Sequence, residues 1–201
     1  MSAADDIVSL YNRKGAAWAD LRRGAPFVER AWIDRFAGSV TPGGAVLDVG
    51  CGSGEPIAEH LTARGFAVTG VDTSAPLLER ARARRPDSAW IEADMRTLDL
   101  KQRFDGVVMW DSFFHLDQPA QRAMFPRIAD HANANAALLF TSGPHAGEAI
   151  GELEGEPLYH ASLAPEEYRA LFAANAIEEI AHVAEDQTAG GRTVWLCQFT
   201  H

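Results

Sequence analysis

The run Val46-Leu47-Asp48-Val49-Gly50-Cys51-Gly52-Ser53-Gly54 sets three glycines at alternate positions behind a short apolar stretch. Glycines so placed allow positive φ and let a backbone approach a ligand closely. A loop between a strand and a helix also lies where open α/β sheets bind ligands, at the carboxyl ends of strands. The spacing separates ligand classes. A dinucleotide loop needs Gly-x-Gly-x-x-Gly, but Gly50 and Gly52 put Glu55 in the third place, and Gly52 and Gly54 put Ile57 there. A glutamate beside a pyrophosphate at a helix N-terminus would oppose the attraction such sites rely on. No Gly-Lys-Ser/Thr phosphate loop occurs either. About twenty residues on, Val68-Thr69-Gly70-Val71 ends in Asp72. A carboxylate at that strand end can accept hydrogen bonds from both hydroxyls of a ribose.

An acidic residue followed by Gly-x-Gly-x-Gly (Asp48, Gly50, Gly52, Gly54) resembles the first motif of the class I S-adenosylmethionine-dependent methyltransferases. The resemblance spans roughly residues 40–142 and implies S-adenosylmethionine as cofactor. It places Asp48, Gly50, Cys51, Gly52, Gly54, Asp72, Thr73 and Trp110 around that cofactor. It further implies that Asp94, in Glu92-Ala93-Asp94-Met95, receives the adenine amino group and that Met95 packs near the ring. The implied fold is a Rossmann-like, seven-stranded, mostly parallel sheet of order 3-2-1-4-5-7-6. Its strand 7 is antiparallel, and helices cover both faces. The implied reaction is methyl transfer to an O, N or S atom of a small molecule. Another S-adenosylmethionine-dependent reaction, such as a cyclisation or isomerisation, keeps the same loop, as does a non-catalytic cofactor-binding protein.

The acceptor side is expected at Trp110-Asp111-Ser112-Phe113-Phe114-His115-Leu116, behind the fourth strand. This stretch lacks the Asn/Asp-Pro-Pro-Tyr/Phe of enzymes acting on base or glutamine amines, and looks more like small-molecule methyltransferases. His115 is a candidate general base, since an imidazole titrates near neutral pH; it could equally hold a backbone group under the cofactor. His145, just after the fifth strand, is a second candidate. His160 could lie in a loop over the site or simply at the surface. Asp111, Phe114 and Tyr159 are expected to line the acceptor pocket. In the N-terminal helix, Tyr11 and Trp18 could cover it, and Arg22 could meet a substrate carboxylate. Trp18 and Trp110 read equally well as core residues.

These residues need an alternation of short strands and longer helices, which argues for a parallel sheet with helices on both faces. Residues 3–37 read as helical, within a helical lid at 1–38 ahead of a core domain at 40–201. Strands are predicted at Ala45–Val49, Phe66–Val71, Ala89–Glu92, Phe104–Trp110 and Ala136–Thr141. Helices are predicted at Glu55–Arg64, after Ser74, at Asp117–His131 and at Pro165–Asn175. Residues 143–163, rich in Gly, Pro and Glu, read as irregular. Strands at 177–185 and 192–199, joined through Ala189-Gly190-Gly191, read as a closing hairpin.

Composition sets the outer bounds. The chain has 201 residues, one domain by length, with 18 Lys+Arg against 28 Asp+Glu and hence a net charge of −10. An acidic protein is repelled by phosphate backbones, which argues against nucleic acid as a partner. Arg80, Arg82, Arg84 and Arg85 fit a solvated helix end, and Glu148, Glu152, Glu154 and Glu156 a solvated loop or an attraction for cationic amines. Cys51 and Cys197 lack metal-ligand spacing and suit free thiols in a reducing cytoplasm. Residues 1–10 carry Asp5 and Asp6 and do not read as a signal peptide; no apolar run reaches the ~18 residues of a membrane span. The expectation is a cytoplasmic monomer or homodimer without a bound metal.

Overall fold

Alternation along each central strand decides which side chains go to which face, because successive residues point to opposite sides of a sheet. The computed structural model describes Ala4 and residues 6–201. Its order is α1 (Asp6–Gly24), α2 (Arg30–Ser39), β1 (Ala45–Val49), α3 (Ile57–Ala63), β2 (Ala67–Asp72), α4 (Ala75–Arg84), β3 (Ala89–Glu92), β4 (Phe104–Met109), α5 (Gln118–Asp130), β5 (Ala132–Ser142), β6 (Gly147–Leu153), β7 (Glu156–Ser162), α6 (Pro165–Ala174), β8 (Ile177–Asp186) and β9 (Arg192–Phe199).

The main sheet has seven strands in the order β3-β2-β1-β4-β5-β9-β8. The first five are mutually parallel, while β9 runs antiparallel to both β5 and β8. This is the predicted topology, with β8 and β9 as the sixth and seventh strands of the sheet. On one face Leu47, Val49, Val107 and Phe140 pack with Phe113, Phe125, Tyr168 and Trp195. On the other, Val46, Val68, Val108 and Leu139 pack with Trp32, Phe36, Leu61 and Leu78. Truncating a fully buried phenylalanine of such a core costs about 3–5 kcal/mol.

Two regions depart from the sequence reading. The single N-terminal helical stretch is two helices, parted around Pro26, since proline supplies no N–H to continue a helix. Only α1 lies over the cavities described below; α2 buries Trp32, Ile33 and Phe36 in the core. Residues 143–163 are not irregular. They contain an antiparallel hairpin, β6 with β7, in continuous register from Gly147↔Ser162 to Leu153↔Glu156. Because β6 is almost wholly exposed, no apolar alternation announces it. Tertiary hydrogen bonds hold β7 instead. Gln121 Nε2 donates to Ala161 O at 2.8 Å, Gln118 Nε2 to Ser162 O at 3.0 Å, and the Gly143 N–H to Ser162 Oγ at 2.6 Å.

Helix ends follow local chemistry. The Asp117 carboxylate caps α5 by accepting the Ala120 N–H at 2.8 Å, as such residues do at helix starts. Ser74 occupies the N-cap position of α4, but its hydroxyl donates to Tyr11 O at 3.3 Å and so ties α1 to α4. Of the four arginines at the end of α4, three are ion-paired, Arg80 with Asp20, Arg84 with Glu55 and Arg85 with Glu59, while Arg82 donates to Trp90 O at 3.0 Å. Among the described residues, no helix is long and apolar enough to cross a membrane.

Candidate active site

The glycine loop leaves β1 with φ of +77° at Gly50 and +55° at Gly52, a region that side chains with a Cβ rarely adopt. The neighbouring strand ends stitch it in place. Gly50 and Cys51 both donate to Val71 O, at 2.7 and 3.1 Å. The Asp72 carboxylate accepts the Gly52 N–H and the Ser74 N–H, each at 2.8 Å. From the β4 side, Ser112 Oγ donates to Val49 O at 2.7 Å. Burial raises the Asp72 carboxyl above its usual range, against the pull of these N–H donors. Asp48 lies deeper, and burial together with the Asp72 charge pushes its carboxyl up to about 7.

A cavity opens above this loop, at the point where the strand order reverses between β1 and β4. Gly50, Gly52, Asp72 and Thr73 form its floor, and Asp94 and Met95 one side. Trp110, Asp111 and His115 close the other side, and Ile7, Tyr11 and Trp18 of α1 form the roof. Trp110 is 5% exposed, and its indole N–H has no hydrogen-bond partner among the described residues. The walls carry Asp72, Asp94, Asp111 and Asp117 against Arg96, which is itself clamped to Asp94 at 2.6–3.1 Å. Such walls suit a ribose-bearing ligand with positive charge, and repel a pyrophosphate. Among the described residues, no group of His, Cys, Asp and Glu is arranged to hold a metal ion.

A second, wider cleft continues from the first and shares Tyr11, Trp18, Asp111 and His115 with it. Phe114, His145, Glu148, His160 and Arg192 line its far side. Asp111 stands at the junction with φ +50°, a left-handed conformation for a residue that is not glycine. Thr141 Oγ1, accepting the Asp111 N–H at 2.9 Å, and a two-pronged Arg192 pair at 2.6–3.0 Å hold it there. Strained backbone of this kind concentrates at functional sites.

His115 is 8% exposed. Its Nδ1 lies 2.8 Å from Tyr159 O and its Nε2 3.0 Å from the Tyr11 hydroxyl. A carbonyl only accepts, so Nδ1 carries the proton and Nε2 accepts from Tyr11. Burial pushes the imidazole down to about 4. With both nitrogens engaged, His115 joins the roof to β7.

Other expected site residues fall elsewhere. Arg22 is ion-paired with Glu29, a fully buried carboxylate, and lines neither cavity. It anchors the end of α1. Tyr159 contributes its carbonyl, while its buried side chain is absent from both sets of walls, because its neighbour His160 takes the cleft side of β7. Asp48, Cys51 and Gly54 likewise support the loop from outside the cavity walls. His145 lines the second cleft from an exposed position. His160, read from the sequence as more of a surface residue, lines the cleft half-buried. Arg192 and Ser112 were not singled out in the sequence. Arg192 follows an unremarkable Gly-Gly turn, and only the β9–β5 pairing brings it to Asp111.

Known proteins share this fold. A family model described as a methyltransferase domain matches residues 46–135. A dTDP-3-amino-3,6-dideoxy-alpha-D-glucopyranose N,N-dimethyltransferase of Streptomyces fradiae is 38% identical over 89 residues, which are 43% of this chain and 34% of the relative. The putative methyltransferase YqeM of Bacillus subtilis is 31% identical over 104 residues, 50% of this chain and 41% of the relative. The chain thus spans well under half the length of these curated relatives. Among solved structures, the SAM-bound amino pentose methyltransferase CalS10 of Micromonospora echinaspora superposes with a TM-score of 0.71 at 23% identity, covering 92% of this chain and 96% of that one. The magnesium protoporphyrin IX methyltransferase ChlM of Synechocystis superposes with a TM-score of 0.76 at 16% identity, covering 100% and 98%. At these identities the superpositions establish the fold.

Proposed function

We propose that the chain carries a class I S-adenosylmethionine-dependent methyltransferase domain and methylates an O, N or S atom of a small-molecule acceptor. The observation that carries this reading is the Asp72-stitched glycine loop opening on an acidic cavity that continues into a second cleft. Asp72 and Thr73 would hold the ribose, Asp94 and Met95 the adenine, and Gly50 and Gly52 the close approach of the backbone. When bound, S-adenosylmethionine supplies a methyl group already activated on a sulfonium. What remains for the protein is to hold the acceptor in line and keep water out, which is chiefly a positioning effect. The α1 roof, pinned through Tyr11 to His115 and through Arg13 to Glu156, encloses the junction. Tyr11, Trp18 and Phe114 offer aromatic walls for the acceptor. Amines are the first acceptors to test, because Glu148 and Glu185 stand at the cleft and two of the relatives named above are amino-sugar methyltransferases. The acidic charge and the free, buried Cys51 and Cys197 suit a cytoplasmic enzyme that does not act on nucleic acid.

Calorimetric titration tests the reading. Micromolar binding of S-adenosylmethionine and S-adenosylhomocysteine, with none of NADH, is the expected result; absence of adenosyl binding overturns it. A cyclase, an isomerase or a non-catalytic binder is separated by whether S-adenosylhomocysteine accumulates when an acceptor is present. In the same titration, Asp72→Ala should weaken S-adenosylmethionine by roughly 1.5–3 kcal/mol, the range for hydrogen bonds to a charged group. A loss below about 0.5 kcal/mol, well under that range, removes the ribose role from Asp72.

A further inference from the structure

Resting on the methyltransferase reading, we propose that His160 is the general base that takes the proton of the acceptor nucleophile. Its imidazole stacks on His115, with ring centroids 5.0 Å apart and planes 25° apart, and meets the edge of Phe114 at 5.0 Å. Across the hairpin, a Cβ at Gly151 would stand 3.0 Å from His160 Cε1, so the glycine makes room for the ring. The backbone on either side of His160 is tied down, through Tyr159 O to His115 and through Ala161 O to Gln121. The ring is thus aimed into the cleft by a braced strand.

Three histidines surround this cleft, and they differ in what their nitrogens do. Both nitrogens of His115 are engaged. His145 sits exposed at the rim. His160 is half-buried, packed on both sides, and neither ring nitrogen has a hydrogen-bond partner among the described residues. A proton acceptor needs that combination of fixed position and free lone pair. The charged and titratable groups around it are Asp111 behind β4, Tyr11 on α1, His115, His145 behind β5, Glu148 on β6, and Glu185 and Arg192 at the β8–β9 end. Burial lowers the His160 imidazole below its ordinary value, and Asp111 opposes that shift.

The step balances without a further reactant. The acceptor's X–H bond breaks, and its proton goes to His160. The lone pair on X forms the bond to the methyl carbon, and the methyl–sulfur pair returns to sulfur, leaving a neutral thioether. The imidazolium then releases its proton to solvent.

His160→Gln, which retains polarity and approximate size, tests the assignment. With a dTDP-activated 3-amino sugar, a phenol and an alkyl thiol as probe acceptors, kcat should fall roughly 10²-fold or more, within the span usual for general bases. The affinity for S-adenosylhomocysteine should stay within twofold, which also shows that the variant is folded. The acid limb of the wild-type kcat/KM profile should vanish in the variant. Gly151→Ala, which crowds the ring without removing it, should lower kcat a few-fold. Turnover by His160→Gln within twofold of wild type, with the limb intact, overturns the proposal. A histidine ¹⁵N titration of the S-adenosylhomocysteine complex decides the matter even where no probe turns over. A His160 ring neutral at pH 7.5 and titrating below 6.5 supports the assignment, and a ring protonated at pH 7.5 overturns it. Wild-type protein that binds no S-adenosylhomocysteine would instead sink the methyltransferase reading itself.

Discussion

Gly50→Ala is expected to abolish S-adenosylmethionine binding and to lower the melting temperature by roughly 10 °C. A Cβ at this position would stand 2.2 Å from Ser112 Cβ and 2.8 Å from Ser112 Oγ. Ser112 has nowhere to go: it is 6% exposed, and its hydroxyl is bonded to Val49 O at 2.7 Å. Overpacking of a filled site costs about 1–3 kcal/mol. Forcing a residue with a Cβ to φ +77° adds about 1–2 kcal/mol. At roughly 2–4 °C per kcal/mol for a chain of this size, the sum reaches the shift expected. Gly52→Ala is the matched control. It shares the positive φ, yet its Cβ would meet only ordinary contacts, Trp18 at 3.4 Å and Leu77 at 3.9 Å. Its effect on stability should therefore be ~1–2 kcal/mol, the strain alone, while affinity drops because Gly52 lines the cavity. The larger Gly52→Val should remove binding altogether. Differential scanning fluorimetry paired with calorimetry checks the series; equal melting temperatures for Gly50→Ala and wild type would refute the Ser112 clash.

His115→Ala should cost about 2–4 kcal/mol of stability and raise KM as well as lowering kcat. The substitution removes the donor to Tyr159 O and the acceptor for the Tyr11 hydroxyl, and each buried group left unpaired costs about 1–3 kcal/mol. It also removes the ring on which His160 stacks. A pure loss of kcat, with unchanged melting temperature, would return His115 to the role of base. The pH dependence is a second signature. The folded-state imidazole is pushed down to about 4, whereas an unfolded histidine titrates near 6.5. Between those values the folded protein binds fewer protons than the unfolded chain, so stability is full above about 6.5 and is lost as pH falls towards 4. One such group contributes a slope of up to about 1.4 kcal/mol per pH unit, and His115→Ala should flatten the acid side of the stability profile by that amount.

Much of the cofactor side was legible because its signals are local. The glycine spacing from Gly50 to Gly54 and the strand-terminal Asp72 depend on residues within a few positions of one another, and the parallel alternation repeats a period the chain itself displays. The order β3-β2-β1-β4-β5-β9-β8 follows from that alternation once the resemblance is admitted. The acceptor side was decided by contacts that no sequence window contains. Asp111 meets Arg192 across 81 positions, and Tyr11 reaches His115 across 104. The hairpin of residues 147–162 carries too little apolar alternation to declare itself, and exists through its ladder and the glutamines of α5 beneath it. For the same reason three histidines that look alike in sequence part company in the fold. Burial and two hydrogen bonds make His115 a brace, exposure leaves His145 at the rim, and stacking without a hydrogen-bond partner leaves the His160 imidazole facing the cleft. Residue type names the chemistry a side chain can do; desolvation and the neighbours it packs against decide which of it remains available.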